Sequence, residues 1–262
     1  MCYHLHRMIT SFEPIADVSA RVLILGTLPS AASLAAGHNY GHPRNAFWYI
    51  MQTLMQRSQE DILAAIASGD LGGLLTIDPA VLLDFETRKK LLIQNRIALW
   101  DSLRSAAREG SSLDSAIDVA TEIPNDIPGF LRTHPQVRAI FFNGAKSESV
   151  FKRLIAPLIS ADPELAVGAD LSAGRKAGRP DQPGQSGQPG AVGEQSSSSE
   201  LSADWKVRRP GPCEEQSVGL QPAPLIYRRL PSTSPANAGM PLVEKLAAWN
   251  AIMLTLNEDQ NG

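Results

Sequence analysis

Four short apolar runs constrain this chain more than any other feature: RVLILG (21–26), IALWDSL (97–103), AIFFNG (139–144) and PLIYRRL (224–230). Each is brief, partly β-branched and bounded by turn residues, the pattern of a strand buried on both faces. Between them, apolar residues recur at helical spacing over 44–68 (Phe47, Trp48, Met51, Leu54, Met55), 78–94, 145–159 (Val150, Phe151, Leu154, Ile155) and 241–256 (Leu242, Leu246, Trp249, Ile252, Met253, Leu256). Asp78 reads as an N-cap with Pro79 at the first helical position, and Pro241 opens the last helix in the same way. Strands alternating with helices form a mostly parallel sheet covered on both faces. The expected fold class is α/β: a three-layer α/β/α sandwich around a central four-stranded, mainly parallel sheet. Trp100 and Trp249 fall in apolar runs and are expected in its core.

One segment breaks the pattern. From Asp162 to Pro224, 63 residues hold 9 Gly and 8 Pro, with GRPDQPGQSGQPG and EQSSSSE as the plainest parts. Such composition cannot bury enough apolar surface to offset the entropy of ordering. The chain therefore reads as a single domain formed by 1–161 and 224–262, carrying a low-complexity, disordered insert over 162–223. Within the insert, KVRRP (206–210) is a solvated charge cluster or a contact for an acidic partner.

A formal net charge of -3 gives no global basic signature, so any nucleic-acid contact must come from a local patch. The stretch 128–153 offers one, with Arg132, Arg138, Lys146, Lys152 and Arg153 against Glu148 alone, although a charged helix face would look the same. Two cysteines, Cys2 and Cys213, exclude a disulfide framework and a four-cysteine metal site, and fit a reducing compartment. No run of 18 apolar residues is present, and MCYHLHRMITSFEPI lacks the apolar core of a secretory signal. The expectation is a cytoplasmic protein, monomeric and without a membrane partner.

Ligands of parallel sheets bind beyond the carboxyl ends of the strands. Here the loops at those ends are GTLPS, LRSAAREGSSLDS, NGAK and PSTSPANAG, all polar or rich in Gly and Pro. They contain no Gly-Lys-Ser/Thr phosphate loop, no dinucleotide-binding glycine fingerprint and no Gly-x-Ser-x-Gly elbow. His4 and His6 have no carboxylate or thiol at metal-ligand spacing, so neither a metal nor a cofactor is expected.

In these loops the sequence resembles the uracil-DNA glycosylase superfamily and, within it, the branch of hypoxanthine (deoxyinosine) DNA glycosylases. Gly26-Thr27-Leu28-Pro29-Ser30 matches the superfamily's first motif, and LPSTSPANA (230–238) matches its second. YGHPRNAFW (40–48), ALWDSL (98–103), REGSSLDSAI (108–117) and FFNGAK (141–146) are similar to this branch in particular. The resemblance spans about residues 12–160 and 224–256. It implies hydrolytic removal of hypoxanthine, the deamination product of adenine, from double-stranded DNA in base-excision repair.

The resemblance also implies roles. A flipped base needs a flat surface and polar partners. Gly26, Thr27, Leu28, Pro29 and Ser30 would form the turn against it, Tyr40, Phe47 and Trp48 an aromatic surface, and Asn143 the amide that reads the base edge. In several uracil-excising branches the third residue of the first motif is Asp or Asn, which orients the attacking water. Here it is Leu28, and the role attributed to the Asn of the His-Pro-x-Asn run falls on Asn45. An amide is a poor base, so Asn45 would position water and stabilise charge. His42 would hydrogen-bond the leaving base or its phosphate, or else simply hold the turn. Ser232, Thr233, Ser234, Pro235 and Asn237 would grip the DNA backbone through neutral hydrogen bonds, with Lys146 adding charge.

Asp101 follows directly on a buried strand and is placed to approach the pocket, whereas Asp114 reads as the cap of the helix that SLDSAI begins. No lysine other than Lys146 stands in a strand-end motif, which favours a monofunctional enzyme without a Schiff base. Two other readings stay open: a glycosylase for uracil or mismatches, and a non-catalytic module that binds damaged DNA.

Overall fold

The apolar runs form the strands that their brevity predicts. A computed structural model describes residues 8–109, 113–166 and 225–257, which all fall in one compact unit. Outside the described residues lie His4, His6, both cysteines, KVRRP and nearly all of the segment read as an insert. In chain order the strands are β1 (Met8–Thr10), β2 (Val22–Gly26), β3 (Ile97–Asp101), β4 (Leu103–Ala107), β5 (Ile123–Pro124), β6 (Ala139–Asn143) and β7 (Ile226–Leu230). The helices are α1 (Ala31–Ala36), α2 (Phe47–Gln56), α3 (Gln59–Ser68), α4 (Phe85–Gln94), α5 (Ile127–Thr133), α6 (Ala145–Val150), α7 (Ala156–Ala161), α8 (Pro163–Ala166), α9 (Leu242–Trp249) and α10 (Ala251–Asn257).

The central sheet has the order β3-β2-β6-β7, and every pairing in it is parallel. Side chains of β2 alternate between two cores, as the period of a strand requires. Val22 and Ile24 join Ile97, Leu99 and Phe141 against Phe47, Trp48, Ile50, Met51 and Leu54 of α2 and Leu246, Trp249 and Ile252 of α9 and α10. Leu23 and Leu25 join Ala98, Ile140 and Phe142 against Ile127, Phe130 and Leu131 of α5, with Phe151 and Ile155. Each such side chain contributes about 1.5–3 kcal/mol through its burial. The result is the expected three-layer sandwich, with Trp249 in the first core and Trp100 partly buried against the second.

A second sheet, β1-β4-β5, is antiparallel and was not expected from the sequence. It exists because the run 97–103 is not one strand. At Ser102 the chain leaves the central sheet: Ser102 N donates to the Gly26 carbonyl at 2.8 Å and Leu103 N to the Thr27 carbonyl at 3.1 Å. The buried amide of Asn125 holds this corner by donating to the carbonyls of Asp101 (2.8 Å) and Leu103 (3.1 Å).

The helices are shorter than their apolar periods suggest, for local reasons. The helix expected over 44–68 stops at Gln56 and restarts after Ser58, whose hydroxyl accepts from Asp61 N at 3.1 Å. Asp78 caps only one turn, Pro79–Val81, and Asp84 caps α4 by accepting from Thr87 N at 3.0 Å. Between α6 and α7 a π turn over Phe151–Ile155 accommodates Pro157, which has no N–H to continue an α-helical ladder.

Candidate active site

Beyond the carboxyl ends of β2, β3, β6 and β7 lies a cavity of about 640 Å³. Its walls include all four strand ends, Gly26, Asp101, Asn143 and Leu230, together with the turn 26–30, Tyr40, Asn45, Asp114 and the loop 231–237. That convergence is a property of the parallel sheet, since four strands running the same way deliver four loops to one edge.

The turn after β2 is held from outside the cavity. The Leu28 side chain packs with Ile9, Leu103, Ala106, Ile117 and Val150. Buried Arg108 donates to the Pro29 carbonyl at 2.7 Å and sits 3.7 Å from a carboxylate oxygen of Asp114. Asp114 in turn accepts from the Thr27 hydroxyl at 2.9 Å. Ser30 caps α1, its hydroxyl accepting from Ser33 N at 3.2 Å. The expected role of Asp114 as a helix cap is therefore corrected. Only a single turn, Asp114–Ala116, begins there, with no side-chain cap, and the carboxylate faces the site instead.

Asp101 is the most constrained group in the cavity wall. It lies beside Gly26 in strand register and is 5% exposed. A β-carbon on Gly26 would come within 2.3 Å of its Oδ1 and 2.8 Å of the Tyr40 hydroxyl. Glycine is thus required here by close approach, not by an unusual backbone angle. Among the described residues, Asp101 Oδ2 and the Tyr40 hydroxyl are both enclosed without a hydrogen bond of normal geometry, and the Asn143 amide is the side chain that interacts with the phenol. Burial pushes the Asp101 carboxyl up to about 7; the charge of Asp114 adds to the shift and Arg108 opposes it. Burial also raises the Tyr40 phenol, with the Asp101 charge second. Near neutral pH the wall therefore carries a carboxyl group able to hold a proton.

Tyr40 lines the cavity and stacks on Phe47, ring centroids 3.9 Å apart. Phe47 and Trp48 are buried behind it and do not line the cavity, so of the three expected aromatics only Tyr40 offers a surface to a ligand. Tyr40 also adopts a positive φ of 53°, which turns the chain towards the segment 42–45.

Asn45 reaches the cavity, and its Oδ1 accepts from Phe47 N at 3.0 Å at the start of α2. Among the described residues its Nδ2 has no hydrogen-bond partner, which leaves that donor for a ligand. His42 does not line this cavity but a neighbouring one, and its Nδ1 accepts from Arg44 N at 3.0 Å. Asn143 is engaged at both ends of its amide: Nδ2 donates to Thr233 Oγ1 at 2.8 Å, and Oδ1 accepts from Thr233 N at 2.9 Å.

The loop after β7 is braced at several points. The Thr233 carbonyl accepts from Ala46 N at 3.0 Å, which ties the loop to the segment carrying Asn45. Trp249 Nε1 donates to the Pro231 carbonyl at 3.0 Å and Lys245 Nζ to the Asn237 carbonyl at 2.7 Å. Ser232, Ser234, Pro235 and Asn237 are partly exposed, whereas Thr233 is buried and cannot meet a phosphate. Lys146 pairs with Glu122 at 2.6 Å, and Arg153 pairs with the same carboxylate. Arg132 pairs with Asp162, and Lys152 with Glu148 at 2.7 Å. The positive balance counted over 128–153 is thus halved by two acids, Glu122 and Asp162, that lie outside that window.

Arg108 and the Asn143–Thr233 pair were not singled out from the sequence. Two signals pointed to Arg108: it directly follows the apolar SAA of β4 and it opens the REGSSLDSAI stretch. No group of three or more His, Cys, Asp or Glu among the described residues is arranged to hold a metal ion. No helix among them is long and apolar enough to cross a membrane.

No protein-family model matches the sequence. A hypoxanthine DNA glycosylase of Methanosarcina acetivorans is 32% identical over 136 residues, which cover 52% of this chain and 71% of that protein. The chain belongs to the hypoxanthine DNA glycosylase family. A second member, from Methanosarcina barkeri, is 27% identical over the same span. The solution NMR structure of a candidate uracil DNA glycosylase from Methanosarcina acetivorans superposes with a TM-score of 0.54 at 22% identity, covering 96% of this chain and 99% of that one. This likeness establishes the uracil-DNA glycosylase type of fold. In this member of the hypoxanthine DNA glycosylase family the Leu28 turn, Tyr40, Asn45, Asp101 and Asn143 meet in the wall of one cavity.

Proposed function

We propose that the protein is a monofunctional DNA glycosylase that hydrolyses the C1′–N9 bond of deoxyinosine in double-stranded DNA and releases hypoxanthine for base-excision repair. The observation that carries this reading is the enclosed carboxyl of Asp101 in the wall of a cavity sized for a small ligand. As the C1′–N9 bond breaks, its electron pair moves into the leaving purine. Asp101 delivers its proton to a ring nitrogen of that purine, and the base departs neutral. Water held by Asn45 Nδ2 adds to C1′ and its surplus proton passes to solvent, after which Asp101 is reprotonated. A purine offers ring nitrogens away from its Watson–Crick edge to such an acid. Uracil, with both ring nitrogens already substituted or protonated, does not, and this favours hypoxanthine.

Asn45 acts as a hydrogen-bond donor to water and to developing charge. The partly exposed Ser232, Ser234, Pro235 and Asn237 meet the DNA backbone, and Asn143 sets the loop that carries them. The scarcity of cysteine supports action in a reducing, cytoplasmic setting.

The test is single-turnover incubation of excess protein with duplexes holding one hypoxanthine, uracil, xanthine or normal base, with abasic sites revealed by alkali. Hypoxanthine release is expected to be fastest. Release of uracil alone would move the reading to a uracil glycosylase. Tight binding to the hypoxanthine duplex without any abasic product would move it to a damaged-DNA-binding module.

A further inference from the structure

A second cavity, of about 240 Å³, shares Tyr40 and Asn45 with the first and is lined besides by His42, Trp48 and Arg88. Arg88, on α4, is only 7% exposed. Its guanidinium carbon lies 4.9 Å from the Trp48 ring centroid and 5.6 Å from that of Phe85. Among the described residues it has no hydrogen-bond acceptor and no carboxylate at ion-pair distance. Asp84, one turn earlier, accepts from Thr87 N at 3.0 Å and from its hydroxyl at 2.6 Å, so its charge acts on Arg88 only from beyond ion-pair distance. Nε is enclosed and unpartnered.

Burial works against the Arg88 charge more than the Asp84 charge supports it, and a guanidinium with no carboxylate in direct contact is favoured when a bound anion supplies one. The fork is pre-set by stacking on Trp48, which suits two parallel hydrogen bonds to phosphate oxygens. His42 adds a donor. Because its Nδ1 accepts from Arg44 N, the neutral ring carries its hydrogen on Nε2.

We propose that this cavity is a phosphate site, in which Arg88 and His42 hold one backbone phosphate of the lesion strand while the flipped nucleotide occupies the first cavity. The proposal rests on the glycosylase reading for the source of the phosphate. Base and phosphate of one nucleotide are joined through a single sugar, and two cavities with a common wall at Tyr40 and Asn45 match that connection.

The experiment uses the full chain and duplexes with a cleavage-resistant 2′-fluorinated deoxyinosine, in which single uncharged methylphosphonate linkages are scanned around the lesion. One linkage is expected to lower wild-type affinity about tenfold, as loss of a charge-assisted hydrogen bond does. In Arg88→Met the same linkage should cost less than about twofold, and the salt dependence of binding should fall by about one counterion. Equal losses in both proteins, or no sensitive linkage, would overturn the proposal. If Arg88→Met fails to fold, Arg88→Lys takes its place and should lose part of the linkage effect; an unchanged effect overturns it.

Inorganic phosphate alone separates this idea from the enzymatic one. A saturable change in tryptophan fluorescence in the wild type, absent in the variant, supports the anion site even if no base is released. No such change, in a protein that also shows no coupled linkage, overturns it. Phosphate binding without any coupled linkage overturns the DNA source.

Discussion

Asn143 and Thr233, ninety residues apart, hold each other through two hydrogen bonds that use both ends of the asparagine amide. The pair closes the end of β6 onto the loop after β7, which leaves the amide only its second N–H and its second lone pair for any further partner. Thr233→Val keeps the side-chain shape and removes the acceptor for Nδ2. It should cost about 1–3 kcal/mol of stability, the penalty for a buried polar group left unpaired. DNA affinity should weaken more than the single-turnover rate, as measured by thermal unfolding and by titration with a hypoxanthine duplex.

The raised carboxyl of Asp101 makes both stability and rate depend on pH. The unfolded chain releases this proton near 3.8, whereas the folded protein keeps it up to about 7. Between those values the folded state binds more protons, so stability falls as pH rises and levels off above the upper one. Asp101→Asn removes the effect. It should unfold at a higher temperature than the wild type at pH 8, by the equivalent of at most about 4 kcal/mol, and at nearly the same temperature at pH 4. With the neutral acid as proton donor, the single-turnover rate should be level below neutrality and fall about tenfold per unit above it. The variant should be on the order of a hundredfold slower, with a flat profile.

Gly26→Ala tests the close approach at the cavity floor. The added carbon would meet Asp101 Oδ1 at 2.3 Å and the Tyr40 hydroxyl at 2.8 Å, so one of the two must move. Excision should drop by roughly a hundredfold or more, because a displacement of about 1 Å has that effect on catalytic groups. Overall stability should change by no more than about 1–3 kcal/mol, the usual cost of overpacking. Circular dichroism melts and single-turnover rates on one preparation decide this.

Asn45 has two jobs, and two substitutions separate them. Asn45→Ala loses the acceptor for Phe47 N, worth about 1 kcal/mol, together with the donor facing the cavity. Asn45→Asp keeps the acceptor but exchanges the donor for a carboxylate oxygen. Both should be slower by about 10²–10³-fold, the range seen when one transition-state donor is removed. Only the alanine form should melt measurably lower. Full activity in Asn45→Asp would show that the donor is not needed.

The central sheet was legible because its strands are buried on both faces and so appear as unbroken apolar runs. The second sheet was not, since β1 has three residues and β5 two, too few to show a period. The break at Ser102 was hidden because the apolar run continues across it, and Asn125 fixes it from a distant segment. Gly26, Asp101 and Asn143 fall at strand ends and could be placed in advance. Asp114 could not, because its role depends on a hydroxyl 87 residues earlier in the chain. Charge counted along 128–153 misled for a similar reason: Glu122 and Asp162, which take up Lys146, Arg153 and Arg132, lie just outside that stretch.

Leu28 bears on how this chain relates to branches with a polar residue in the same turn. Its side chain is a member of an apolar cluster with Ile9, Leu103, Ala106, Ile117 and Val150, which joins the small sheet to the floor of the site. A carboxylate or amide there would give up this packing and place a mostly buried polar group at the edge of the cavity. A polar substitution at this position alone would therefore cost folding stability before it changed any reaction. Through Leu28 the packing of β1 and β4 and the shape of the cavity are one mechanical unit, so a change in the small sheet is felt at the turn after β2.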